Sequence, residues 1–306
     1  MNTTLRSSTL SSPDHVVLGC SDLGAQVAWW TALGFTASAP TEIDAGSAEA
    51  LYGIGGATTQ VSMSVPGAAA GSVRLVRTTQ PRGEVGHWDR GPHAIDLYTT
   101  DMDRSLEIAR AAGARVAGRM VYDFGTMRLE EGKSVGPDGT IVVFISNSKR
   151  RPSVLDHDSS RIHSEVHSIV NIVSSVDAAR VAWIEGGGLT LLGDAVIDSP
   201  GLADLMELPR VVPARMGLFC DVDVTPIRYE VLEFVGLSSD EGIDLDQWPL
   251  KPGLPMACFV VDALDQLIGT LTDVGFVFGP QTALGDGRLA VTGADPSGLR
   301  FELRTH

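Results

Sequence analysis

One pattern recurs four times along this chain, and the recurrence constrains the fold more than any other feature of the sequence. Each copy opens with a short alternating strand, turns into a helix, passes a glycine, and ends in further strands. The first copy opens DHVVLGCSDLGAQVAWWTALGF (14–35) and finishes near VRLVRT (73–78). The second opens HAIDLYTTDMDRSLEIARAAGARV (93–116) and finishes at IVVFIS (141–146). The third opens VHSIVNIVSSVDAARVAWIEGGGLTLL (166–192) and finishes at IRYEVLEFV (227–235); the fourth opens MACFVVDALDQLIGTLTDVGFVF (256–278) and finishes at RFELRT (300–305). In the second copy Leu106, Ile108, Ala109 and Ala112 form an apolar helical stripe, and Gly113 supplies the stop. Leu264, Leu267, Ile268 and Leu271, followed by Gly275, do the same in the fourth. The strands alternate with β-branched and aromatic residues, so each unit reads β-α-β-β-β.

Two of the unit ends are near-copies. GPDGTIVVFIS (136–146) and DPSGLRFELRTH (295–306) are each a Pro-x-Gly turn followed by an apolar strand, but Glu302 stands where the other has Val143. Between the second and third units NSKRRPSVLDHDSSR (147–161) is polar, charged and carries a proline, as a linker does. These marks predict an α+β chain with a floppy arm over 1–13, a first domain over 14–146, a linker over 147–163 and a second domain over 164–306, two units in each.

Composition narrows the setting. The formal net charge of −15 disfavours nucleic acid and anionic membranes as partners. No apolar run approaches the ~18 residues of a membrane span, and the N-terminus lacks the apolar core of a signal peptide. Cys20, Cys220 and Cys258 are odd in number, far apart and set in apolar runs, which predicts buried free thiols and a cytoplasmic location. There is no GxSxG elbow, P-loop or HExxH motif, and Gly186–Gly188 reads as a helix stop.

The unit order, with ends such as DHVVLGCSDL…VAWWTALGF and DPSGLRFEL, resembles the vicinal oxygen chelate (VOC) superfamily, which includes glyoxalase I, extradiol dioxygenases and bleomycin-resistance proteins. The resemblance implies four βαβββ modules forming two half-open barrels, each cupping a ligand. It also implies metal ligands at the start of a unit's first strand, usually His, and in its last strand, usually Glu. A divalent ion so held would leave open positions for two neighbouring substrate oxygens.

Against that pattern His15 stands seven residues before Asp22, as a first-strand ligand should. In the second unit the matching residue is Ala94, and His93 is one out of phase and on the opposite face. Val143 fills that unit's last-strand position, so the first barrel reads as metal-free. In the second, Glu302 sits at the family position, Glu230 and Glu233 lie on opposite faces of the third unit's last strand, and His167 opens VHSIVNIV in a register that two alignments leave open. Pro255 and Met256 stand at the fourth unit's ligand position, and neither suits a hard divalent ion.

The expected metal set is therefore His167, Glu230 and Glu302, with Glu302 and His167 as the catalytic pair, and His15, His93 and Tyr98 as further pocket candidates. The function this implies is a lyase, isomerase or dioxygenase acting on a small oxygen-bearing substrate, with one divalent metal (Fe, Mn, Zn, Ni or Co) or none. The competing expectation is a metal-free binding or resistance protein of the bleomycin-resistance type. Barrel halves also pair between chains in that superfamily, so a homodimer belongs to the same set of expectations.

Overall fold

The computed structural model describes residues 10–124, 126–221, 227–238 and 241–306, the side chain of Phe124 excepted. The first unit comprises β1 (His15–Cys20), α1 (Leu23–Ala32), β2 (Thr36–Ala37), β3 (Thr41–Ile43), α2 (Ala45–Tyr52), β4 (Thr58–Ser64) and β5 (Ser72–Arg77). The second comprises β6 (Gly91–Thr99), α3 (Met102–Ala111), β7 (Arg115–Phe124), β8 (Met127–Val135) and β9 (Ile141–Asn147). The third has β10 (His163–Ile172), α4 (Val176–Arg180) running on as a wider turn over Val181–Gly186, β11 (Thr190–Ile197), α5 (Pro200–Met206), β12 (Ala214–Cys220) and β13 (Arg228–Phe234). The fourth has β14 (Pro255–Val261), α6 (Leu264–Asp273), β15 (Val277–Phe278), β16 (Thr282–Ala283), β17 (Leu289–Ala294) and β18 (Arg300–Thr305). Asp22, Asp101 and Ser175 cap α1, α3 and α4 through their side chains, the repeated turn residue in its repeated role.

The units do not pair in chain order. One sheet runs β15-β17-β18-β14-β1-β5-β4-β2, joining the first unit to the fourth; the other runs β11-β12-β13-β10-β6-β9-β8-β7, joining the second to the third. Each is centred on an antiparallel seam between first strands, with His15 opposite Cys258 in one and Asp96 opposite Ser168 in the other. This corrects the expectation that neighbouring units share a barrel. Alternation along a strand says which face is buried, but not which other unit supplies the facing edge. Both half-barrels are thus completed within one chain.

Strand alternation then divides the interior. Val16 and Leu18 of β1, Ile95 and Leu97 of β6, Ile169 of β10 and Phe259 of β14 turn their side chains into one shared core with the helices. There Trp183 stacks on Phe259 and packs against Tyr229, Phe276 and Phe301, the last two edge-on, and its indole N–H donates to Asp295 at 2.9 Å. Asp295 belongs to the repeated Pro-x-Gly turn and also accepts from the Leu299 amide at 3.0 Å, which ties that hairpin to the core. The opposite face of each sheet is concave.

The proposed arm over 1–13 lies mostly outside the described residues. Its last part is not loose: Leu10 is buried and its amide donates to the Gly187 carbonyl at 2.8 Å. The three cysteines are buried and unpaired with each other. Among the described residues no helix is long and apolar enough to cross a membrane.

Candidate functional site

The two concave faces differ. That of the first and fourth units is filled. Its interior row runs His15, Cys258, Glu302 and Thr292 across β1, β14, β18 and β17. Glu302 is fully buried. One of its carboxylate oxygens accepts from Arg74 Nη2 at 2.8 Å and from Arg304 Nε, and the other accepts from the Tyr52 hydroxyl at 2.9 Å. Helix α2 places Tyr52 there by packing Ala48, Leu51 and Tyr52 into the concavity against Val17, Val76, Met256 and Ala290. Arg304 also donates to the Tyr52 oxygen at 3.2 Å, which closes the network on itself. His15 bonds the Asp14 carboxylate at 2.8 Å, and burial, then Arg74, lowers its pKa.

The face of the second and third units is hollow. Its cavity of about 410 Å³ is walled largely by apolar side chains, with Met120, Ile145, Val170, Leu205 and Leu218 among them. Helix α5 covers one side with Leu202, Leu205 and Met206. It lies this close because β7 offers Gly118: a Cβ there would stand 2.2 Å from the Asp204 carbonyl oxygen.

Carboxyl groups project into this apolar space. Asp96 on β6 and Glu230 on β13 flank Ser168 on the intervening β10, and the Ser168 hydroxyl donates to Glu230 at 3.2 Å. Glu131 on β8 accepts from the Tyr122 hydroxyl at 2.5 Å. Burial, then the Glu230 and Glu131 carboxyls, pushes Asp96 well above the usual carboxylic range. Glu230 rises to about 7, chiefly through burial and against the pull of Arg228. Burial raises Glu131 as well, with the Tyr122 bond opposing it.

The expected site residues divide between the faces. Glu302 is on one sheet, while His167 and Glu230 are on the other, so the three do not converge. His167 stacks flat on Tyr98, with centroids 3.8 Å apart and planes 7° apart, and its Nδ1 accepts from Arg228 Nη2 at 2.9 Å. Burial, then Arg228, holds its pKa well below the ordinary value, so the ring is neutral and orients the guanidinium. Tyr98 lines the cavity. His93 also lines it, against the phase of its strand, because the β6–β10 ladder shifts between Ala94 and Pro92 and leaves His93 on a bulge. Burial first, then Lys133 and Arg82, lowers its pKa to about 3.

Neither face suits a resident divalent cation as it stands. An ion at Glu302 would have to displace two guanidinium groups. Among the described residues no group of three His, Cys, Asp or Glu side chains is close enough to hold a metal.

The sheet order and the paired concave faces define the fold of the vicinal oxygen chelate superfamily. Among solved structures the chain is similar to glyoxalase I from Zea mays, with a TM-score of 0.64 at 12% identity over 96% of this chain and 92% of that one. It is similar too to a Bacillus subtilis subsp. subtilis str. 168 protein provisionally called a dioxygenase, with a TM-score of 0.64 at 9% identity over 97% of this chain and 86% of that one. No family model and no curated protein matches the sequence.

Proposed function

We propose that the chain is a proton-transfer enzyme, an isomerase or lyase in type, whose working site is the cavity of the second and third units. Its substrate is a small, mainly apolar molecule with a carbonyl beside a C–H bond. The observation that carries this reading is the Asp96–Ser168–Glu230 array, two carboxyl groups of displaced pKa set in an apolar cavity. Two such groups near one another favour one proton between them at neutral pH. The ionised member takes a proton from the carbon next to the carbonyl, and the protonated member gives its proton to the carbonyl oxygen. The first group then delivers its proton to the neighbouring carbon while the second takes a proton back from an enol hydroxyl, which regenerates both. Groups tuned toward neutral pH are the efficient ones for such transfers. Ser168 holds Glu230, and Tyr122 holds Glu131 as a further carboxyl bordering the space.

The glyoxalase I neighbour shares the fold that holds this cavity. The test is deuterium exchange followed by NMR. Small ketones, hydroxyketones and oxo acids are incubated in heavy water with the wild type and with Glu230→Gln. Protein-dependent exchange, lost in the variant while the ligand still binds, is expected. Tight binding without exchange by the wild type would overturn the reading in favour of a sequestering protein, which the apolar walls would also serve.

A further inference from the structure

The cavity is charged unevenly along its length, and that unevenness bears on what enters it. The chain has only three lysines and a net charge of −15, yet two of those lysines, Lys133 and Lys149, line this cavity. Lys133 is already engaged, donating to Glu207 at 3.0 Å. Past the end of β9 at Asn147 the lining includes Lys149 and Arg151, and Arg228 lines the cavity from the start of β13; Arg228 and Arg151 both act on the His167 ring. Among the described residues none of these three forms a salt bridge. Lys149 donates to the Thr126 hydroxyl at 2.8 Å and Arg151 to the Cys220 sulfur at 3.4 Å. Arg228 gives one N–H to neutral His167 at 2.9 Å, and its Nε is buried with no partner. An unpaired buried guanidinium donor is costly unless something completes it.

Arg228 acts on Asp96, Glu131 and Glu230 through its charge, but among the described residues it forms no hydrogen bond or salt bridge with any of them. Arg228, Ser168 and Asp96 are register neighbours across β13, β10 and β6. Two strand spacings therefore put the Arg228 and Asp96 backbones about 10 Å apart. Burial also raises the pKa values of Asp96, Glu131 and Glu230, so the cavity carries less negative charge than its residue count suggests.

We infer that the cavity's ligand is an amphipathic carboxylic acid, its carboxylate seated among Arg228, Arg151 and Lys149 and its apolar body along the methionine and leucine walls. A planar carboxylate matches the guanidinium fork of Arg228, whose orientation the stacked His167 fixes. In this pose the acid's chain runs from the cationic end past Asp96 toward Glu230. The inference deepens the proton-transfer reading by naming the substrate class, and that placement rests on it.

Binding can be tested apart from turnover. Calorimetry with octanoate and with octanamide, its neutral counterpart of the same shape, is run on the wild type, on Arg228→Gln and on a Lys149→Ala/Arg151→Ala double variant. The wild type is expected to prefer octanoate by tenfold or more, with a preference that shrinks as salt rises. Each variant should lose most of that preference while binding octanamide as before, which also shows that it is folded. Equal affinity for the two probes, no binding of octanoate, or a preference that survives in both variants would overturn the inference. A carboxylate preference without deuterium exchange would leave it standing and remove the proton-transfer reading instead; exchange restricted to neutral ketones would do the reverse.

Discussion

The two half-barrels are built to one plan and diverge at the same point. In the half-barrel of the first and fourth units Glu302 is present, but two arginines and a tyrosine have closed over it, and α2 fills the cup. In the half-barrel of the second and third units the equivalent position is Val143, and the cup stays open around Asp96 and Glu230. The comparison teaches that a carboxylate at the family position does not mark the working cup. A buried carboxylate paired to arginines on both sides is a tie between strands. A buried carboxyl that no arginine hydrogen-bonds, sharing with other carboxyls a space a molecule can enter, is poised for chemistry.

The sharpest way to break the comparison is to cut the tie. Glu302→Ala strands Arg74 and Arg304 in the interior, and loss of one partner from a buried ion pair costs roughly 3–5 kcal/mol. Urea unfolding should show that loss, whereas ligand binding per folded molecule stays at the wild-type level. Asp96→Asn acts in the other cup. Removing one of two cooperating carboxyl groups should lower exchange by about 100-fold, a typical worth for a general acid or base, with the unfolding midpoint little changed. A smaller effect is expected of Tyr52→Phe, which deletes the hydroxyl bonded to Glu302 and should cost about 1–2 kcal/mol in the same unfolding assay.

The comparison also predicts a pH dependence. In an unfolded chain a glutamate titrates at about 4.3, while in the fold Glu230 holds its proton up to about 7. The folded state therefore binds the proton more tightly. That contribution favours folding fully below about pH 4 and is lost as pH rises through about 7. Buried His93 and His167 are shifted downward, so their contribution is present above about pH 6.5 and is lost as pH falls. The difference between wild type and Glu230→Gln isolates the glutamate: melting curves should show the variant gaining relative stability from about pH 5 to pH 8. Parallel curves for the two proteins would contradict the burial of Glu230.

Much of the fold was legible in the chain. The alternation in HVVLGC and HAIDLYT, the Asp turns that cap α1 and α3, and the repeated Pro-x-Gly hairpin all lie where local pattern put them. What was not legible was set by pairing over long distances. The partner of β1 is β14, some 240 residues away, and nothing in either strand names the other. That one fact moved Glu302 into the company of Arg74 and out of the cup that holds His167 and Glu230. The face of His93 depended on a bulge that leaves no mark in the sequence. Asp96 and Tyr98 were readable as sharing a face, and Arg228 with Glu230 likewise, but their convergence needed the β6–β10 seam. The run KRR at 149–151 looked like a solvated linker, though two of its three cations line the cavity.

The most direct test measures deuterium exchange per folded molecule for Glu230→Gln and Glu302→Gln side by side, with folded fractions read from circular dichroism. The account predicts that Glu230→Gln stays folded and loses exchange, while Glu302→Gln is less stable but exchanges at the wild-type rate per folded molecule. Loss of exchange in a well-folded Glu302→Gln, with Glu230→Gln active, would place the chemistry in the filled cup and contradict the account.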